Sequence, residues 1–87
     1  MKEVNLNFNL KGVDGTELPE ANAGKLVAQL LASSNKGDAL KMFAWAKELH
    51  AENVLNLDPS DIKVLSDFIL TTENLTNLAK AQIVEIL

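Results

Sequence analysis

Val4-Asn5-Leu6-Asn7-Phe8-Asn9-Leu10, continued by Lys11-Gly12-Val13-Asp14-Gly15-Thr16-Glu17-Leu18, decides how this chain begins. Apolar residues at every second position give a strand with one buried face and one wet face. Asp-Gly between two apolar runs is the strongest short-range hairpin signal. The pattern predicts a β-hairpin over 1–19. Its first strand covers 3–11, its turn 12–15, and a short second strand covers 16–18 until Pro19 stops it. A ribbon of two strands is marginal alone in water, so it must lie on the rest of the chain or pair with another molecule.

Everything after residue 20 reads as helix. Asn22 is a candidate cap for a helix over 23–34, whose face is Leu26, Val27, Leu30 and Leu31. Ser33-Ser34-Asn35-Lys36-Gly37 carries stop and turn chemistry, with Gly37 suited to positive φ. Asp38 then caps a helix over 39–52. Ala39, Met42, Phe43, Trp45, Ala46 and Leu49 cover a wide arc of it, which Leu40 and Ala44 extend. A helix apolar over more than half its circumference is either central in the fold or touches a partner. Residues 53–57 read as extended or irregular, anchored by Val54, Leu55 and Leu57. Asp58 as cap, Pro59 at the first helical position and Asp61 in the first turn open a helix over 59–70. Its face is Ile62, Leu65, Phe68 and Ile69. A last helix over 75–87, starting between Thr72 and Thr76, carries Leu75, Leu78, Ala79, Ile83 and Ile86. The expected architecture is a single α+β domain over 1–87, an N-terminal hairpin packed on three or four helices.

At 87 residues, with 47% hydrophobic residues in periodic stripes, the chain has room for one core. It contains no cysteine, which removes disulfides, thiol nucleophiles and Cys-type zinc sites. Met1-Lys2-Glu3 followed by alternating Asn is no signal-peptide core, and no apolar run approaches a membrane span, so the expected location is the cytoplasm. The formal net charge is −4, and all eight cations are Lys. Arg is the usual base-edge reader and phosphate clamp. Its absence, with an acidic balance and no Lys cluster, argues against a nucleic-acid partner.

No catalytic constellation is visible, and no cofactor or metal is expected. His50 is the one histidine, and neither Glu48 nor Glu52 shares its helix face, so a general base has no local partner. Asp58, Asp61 and Asp67 lack the alternate-ligand spacing and Gly bend of a calcium loop, and capping accounts for the first two. Ala23-Gly24-Lys25 is no phosphate loop: Pro19 stands where the first Gly belongs, and Leu26 replaces the Ser or Thr. Trp45 reads as core packing or as a partner anchor. Gln82, within an apolar stripe, either bonds a loop carbonyl or marks a face that meets a second copy.

In layout the chain resembles a class of small uncharacterised phage and prophage proteins. The likeness rests on Gly12-Val13-Asp14-Gly15, Leu26 to Leu31, Ala44 to Leu49, Leu57-Asp58-Pro59-Ser60-Asp61-Ile62 and Gln82-Ile83-Val84-Glu85-Ile86-Leu87. It implies an accessory, assembly or regulatory protein of a mobile element and not an enzyme. The leading expectation is a non-enzymatic protein-interaction module. Its candidate partner contacts are Asn5, Asn7 and Asn9 on the ribbon and Leu40 and Trp45 on the helix over 39–52, and either surface suits self-association. The alternatives are a nucleic-acid-associated transcriptional regulator of a mobile element, or a small hydrolase or ligand-binding protein using His50.

Overall fold

A computed structural model describes residues 1–34 and 37–87. The elements are β1 (Lys2–Val4), β2 (Asn9–Lys11), β3 (Glu17–Asn22), α1 (Ala23–Ser33), α2 (Ala39–His50), β4 (Leu55–Leu57), α3 (Pro59–Thr71) and α4 (Asn77–Ile86). This is the expected α+β class, with helices where the periodicity placed them. Of the expected turn at 33–37, Asn35 and Lys36 lie outside the described residues; Gly37 does take positive φ, at 84°.

The opening strand differs from expectation. Residues 3–11 do not form one strand. The chain kinks at Asn7: the Asn7 N–H donates to Asn5 Oδ1 at 2.9 Å, and the Phe8 N–H donates to the Leu6 carbonyl at 2.8 Å. Before the kink, β1 pairs antiparallel with β4, matching Val4 with Leu55 and Lys2 with Leu57. The stretch read as extended or irregular is thus a strand whose partner lies some fifty residues away in sequence, a pairing that local pattern cannot encode. After the kink, β2 pairs with β3. Pro19 does not end that second strand. Between the pairs Asn9–Asn22 and Lys11–Glu17 the register advances two residues on β2 and five on β3. The resulting bulge holds Pro19 where its missing N–H costs no ladder bond.

The turn at 12–15 is where it was expected. The Gly15 N–H donates to the Gly12 carbonyl and the Gly12 N–H to the Thr16 carbonyl. Gly15 supplies the positive φ, 85°, that closes the loop. Asp14 Oδ1 accepts from the Thr16 N–H at 3.0 Å.

The kink has a use. A helix leaves its first N–H groups without intrahelical partners. Here the Ala23 N–H donates to the Phe8 carbonyl and the Gly24 N–H to the Leu6 carbonyl, both at 2.8 Å. Asn22 caps as expected, its Oδ1 accepting from the Lys25 N–H at 3.0 Å. The backbones approach so closely that a Cβ on Gly24 would lie 3.1 Å from the Leu6 carbonyl oxygen. The start of α1 is therefore filled by the chain's own carbonyls, which leaves it no cradle for a phosphate.

Gln82 on α4 resolves to the first of its two readings. Its Oε1 accepts from the Lys11 N–H at 2.8 Å, and its Nε2 donates to the Lys11 carbonyl at 2.6 Å. One side-chain amide thus pairs with β2 as a neighbouring strand would, and it ties the ribbon to the last helix. Asp38, Asp58 and Thr76 cap α2, α3 and α4. Helix α2 stops at His50, two residues short of the expected end, because Glu52 takes φ 66°. The Glu52 and Asn53 N–H groups fold back onto the Leu49 and Glu48 carbonyls, a helix stop usually built with Gly.

Val4, Leu6 and Leu10 are buried and Phe8 packs against the same core, so the alternating face lies on the helices. On α1 the buried line is Val27, Ala28 and Leu31, with Leu26 and Leu30 at its edge and not in its centre. On α2 it is Met42, Trp45, Ala46 and Leu49. Ala39 and Phe43, expected on that face, are exposed. Leu65 and Ile69 of α3, Ala79 and Ile83 of α4, and Leu55 and Leu57 of β4 complete the core. Val54, expected as an anchor, and Ile86 of the α4 stripe are exposed. Among the described residues no helix is long and apolar enough to cross a membrane.

Candidate functional site

Short connection between two helices makes them antiparallel neighbours, and α1 and α2 pack along one another in this way. Between them lies an open trough, whose lining includes Ala28 and Ala46 of their buried lines. Lys25, Ala28, Gln29 and Ala32 recur along one face of α1 at helical spacing, and Phe43, Ala46, Lys47 and His50 face them from α2. They line an open cleft of about 690 Å³. A second hollow at Ala32, Gly37, Ala39, Met42 and Phe43 continues it beyond the apolar end. Leu40, one turn before Phe43 and Ala44, is 85% exposed, and Phe43 is 56% exposed.

The two ends of the trough differ. Ala32 and Phe43 make one end apolar. Lys25 and His50 stand at the other, where α1 begins and α2 finishes, and Lys47 lies between the two. No acidic residue is among the eight that line the cleft, although the chain as a whole is acidic. Lys47 Nζ sits 5.2 Å from the Phe43 ring centroid, a cation over an aromatic face. Lys25 Nζ lies 3.5 Å from Glu52 Oε1, with both side chains about half exposed. Such exposed pairs are worth about 0–1 kcal/mol.

The predicted contact residues divide. Leu40 is fully presented to solvent. Trp45, at the opposite edge of the arc, is 8% exposed and packs in the core with Lys41 Nζ 5.9 Å above its ring. That lysine also bonds Asp61 Oδ1 at 2.8 Å, joining α2 to α3, and this bond chiefly raises the Lys41 pKa. The ribbon asparagines spend their side chains within the molecule. Asn5 caps the kink, Asn7 Oδ1 accepts from Asn22 Nδ2 at 3.0 Å, and Asn9 Nδ2 donates to Glu17 Oε1 at 2.8 Å.

His50 is exposed at the end of the trough where α2 finishes. Its neighbours in sequence are engaged elsewhere, Glu48 with Asn53 Nδ2 and Glu52 with Lys25. Asp58 caps α3, Asp61 meets Lys41, and Asp67 lies 3.7 Å from Lys63, so the three carboxylates do not converge. Among the described residues no three His, Asp or Glu side chains gather as a metal site.

The sequence reading named Leu40 but not Phe43, Lys25 or Lys47 as contacts. The available signal was an apolar arc on α2 wider than one core face can use. Comparison with protein-family models, with curated proteins and with solved structures gives no match for this chain.

Proposed function

We propose that this protein is a non-enzymatic interaction module that docks another polypeptide on the outer face of its α1–α2 pair. The observation that carries this reading is Phe43, 56% exposed on the lining of an open trough that also holds Ala28, Ala32 and Ala46, with Leu40 85% exposed three residues before it on α2. Large apolar side chains grouped next to a groove are costly to leave in water and are where partner helices bind. The resemblance in layout to small phage and prophage proteins agrees with an accessory, assembly or regulatory role in the cytoplasm. A single Lys-only cation set on an acidic chain favours a protein partner over nucleic acid.

The test places a photo-crosslinking amino acid at position 43, and separately at position 67 on α3, in cells of the source. A defined polypeptide adduct at 43 and none at 67 supports the docking face. Equal adducts at both positions, or none at 43, overturns it.

A further inference from the structure

Asp14 is the one Asp or Asn of the chain that a glycine follows. That pair carries a chemistry of its own. The backbone nitrogen after an aspartate can attack the aspartate's side-chain carboxyl carbon, and a side chain on the attacking residue hinders the approach. Gly15 has no such side chain, and the space around it is open, with nothing within 4 Å of where a Cβ would stand. We propose that Asp14–Gly15 is a latent isoaspartate site, which the folded turn holds closed and which opening of the ribbon tip releases.

The reaction needs no reagent but water. The Gly15 nitrogen bonds to Asp14 Cγ, its proton passes to solvent, and a carboxyl oxygen leaves as water, which closes a five-membered imide. Water then opens the imide on one side or the other. Breaking the new N–Cγ bond restores aspartate. Breaking the bond to the main-chain carbonyl leaves isoaspartate, of the same mass, with the main chain rerouted through the side-chain carbon. The folded turn engages both reacting groups. The Gly15 N–H donates to the Gly12 carbonyl at 2.9 Å, which holds its proton and keeps the amide out of reach as a nucleophile. Asp14 Oδ1 accepts from the Thr16 N–H at 3.0 Å. That bond fixes the carboxyl and favours its ionised form, whereas the oxygen that leaves must be protonated. The Gly12 N–H closes the loop onto the Thr16 carbonyl at 2.8 Å. Asp14 and Gly15 are nonetheless exposed, so their protection lies in these three hydrogen bonds and not in burial. Loop tips held in this way open locally at low cost. Behind the tip, the Gln82 side chain on the backbone of Lys11 ties the base of the turn to α4. Isoaspartate at 14 adds a carbon to the main chain of a loop whose closing bonds have fixed lengths, so one opening that ends in reaction leaves the ribbon unable to reclose as before.

The experiment incubates the full chain at neutral pH for several weeks, folded in buffer and, in parallel, unfolded in guanidinium chloride. After removal of the denaturant, digestion with an endoproteinase that cuts before aspartate but not before isoaspartate, followed by mass spectrometry, counts the isoaspartate at position 14. The expected result is accumulation about tenfold or more faster in the unfolded chain than in the folded one. Asp14→Glu, whose longer side chain would have to close a six-membered ring, shows none at this position. Gln82→Ala, folded by circular dichroism, falls between the two rates, and its gain matches the increase in amide hydrogen exchange at Gly15. If that variant does not fold, or leaves Gly15 exchange unchanged, guanidinium chloride below the unfolding midpoint replaces it, with the same direction expected. Equal rates in the folded and unfolded chains overturn the inference, because the turn then gives no protection. Absence of isoaspartate from the unfolded chain overturns it as well. So does faster exchange at Gly15 with no rise in isoaspartate, since opening of the tip would then not be what releases the site.

Discussion

The N-terminal ribbon and the outer face of the α1–α2 pair both looked, from their residue types, like surfaces in search of a partner. The ribbon turns its loose groups inward. Val4, Leu6 and Leu10 enter the core, the carbonyls of Leu6 and Phe8 satisfy α1, Gln82 takes both backbone groups of Lys11, and the asparagine side chains bond Asn22, Glu17 and the Asn7 backbone N–H. The helical face does not: Phe43 meets water on the lining of a trough, and Leu40, earlier on the same helix, is 85% exposed. Polar exposure is thus a poor guide to a docking edge when the polar groups are already paired, and apolar exposure is the better one.

The sharpest way to break this contrast is truncation on each side of it. Leu6→Ala removes a fully buried side chain and should cost about 3 kcal/mol in urea denaturation. Phe43→Ser and Leu40→Ser should each stay within about 0.5 kcal/mol of the parent. A large loss at Phe43 would make that face structural. Next, Gln82→Ala should cost about 1–2 kcal/mol and speed amide exchange at Lys11, because two long-range bonds go together. Unchanged exchange at Lys11 would mean that the ribbon does not depend on α4.

A smaller effect of opposite sign is expected at the helix stop. Glu52→Gly relieves a left-handed backbone at a non-glycine residue and should raise stability by about 0.5–1 kcal/mol, less the weak pair with Lys25. A loss would show that the pair outweighs the backbone strain. The smallest effect lies at the ribbon tip. The Thr16 backbone N–H, then its side chain, hold the Asp14 carboxyl below the ordinary aspartate range. A lowered folded pKa means that this contribution is present above the unfolded value and is lost as pH falls through the folded one. The Thr16 amide shift should therefore titrate at lower pH in the protein than in a peptide covering 12–16. Coincident midpoints would show the bond absent in solution.

Much of the fold is legible in the sequence. Asn22, Asp38 and Asp58 cap the helices they were expected to cap, since capping depends on residues within one turn. The Gly12–Gly15 turn is equally local. The errors share one cause. An unbroken alternation over 4–10 gave no sign of the kink at Asn7, because its two local bonds act together with bonds to α1 and the pairing of β1 with β4, both remote in sequence. Pro19 has a strong local meaning that a bulge in β3 overrides. For the candidate site, the sequence offered an arc on α2 too wide for one face, but periodicity alone cannot say which edge is left over. It put Trp45 and Leu40 on equal footing, and Phe43 inside.

By itself the sequence determined what short-range chemistry determines: helix starts, one hairpin turn, the inward face of the ribbon, and a composition without Cys or Arg. The tertiary structure alone decided the rest. It paired β1 with β4, locked Lys11 to Gln82, buried Trp45, and brought Lys25, Lys47 and His50 into the lining of one trough. Those relations join residues distant in sequence, and each is settled by the packing of helices whose local patterns allow several partners.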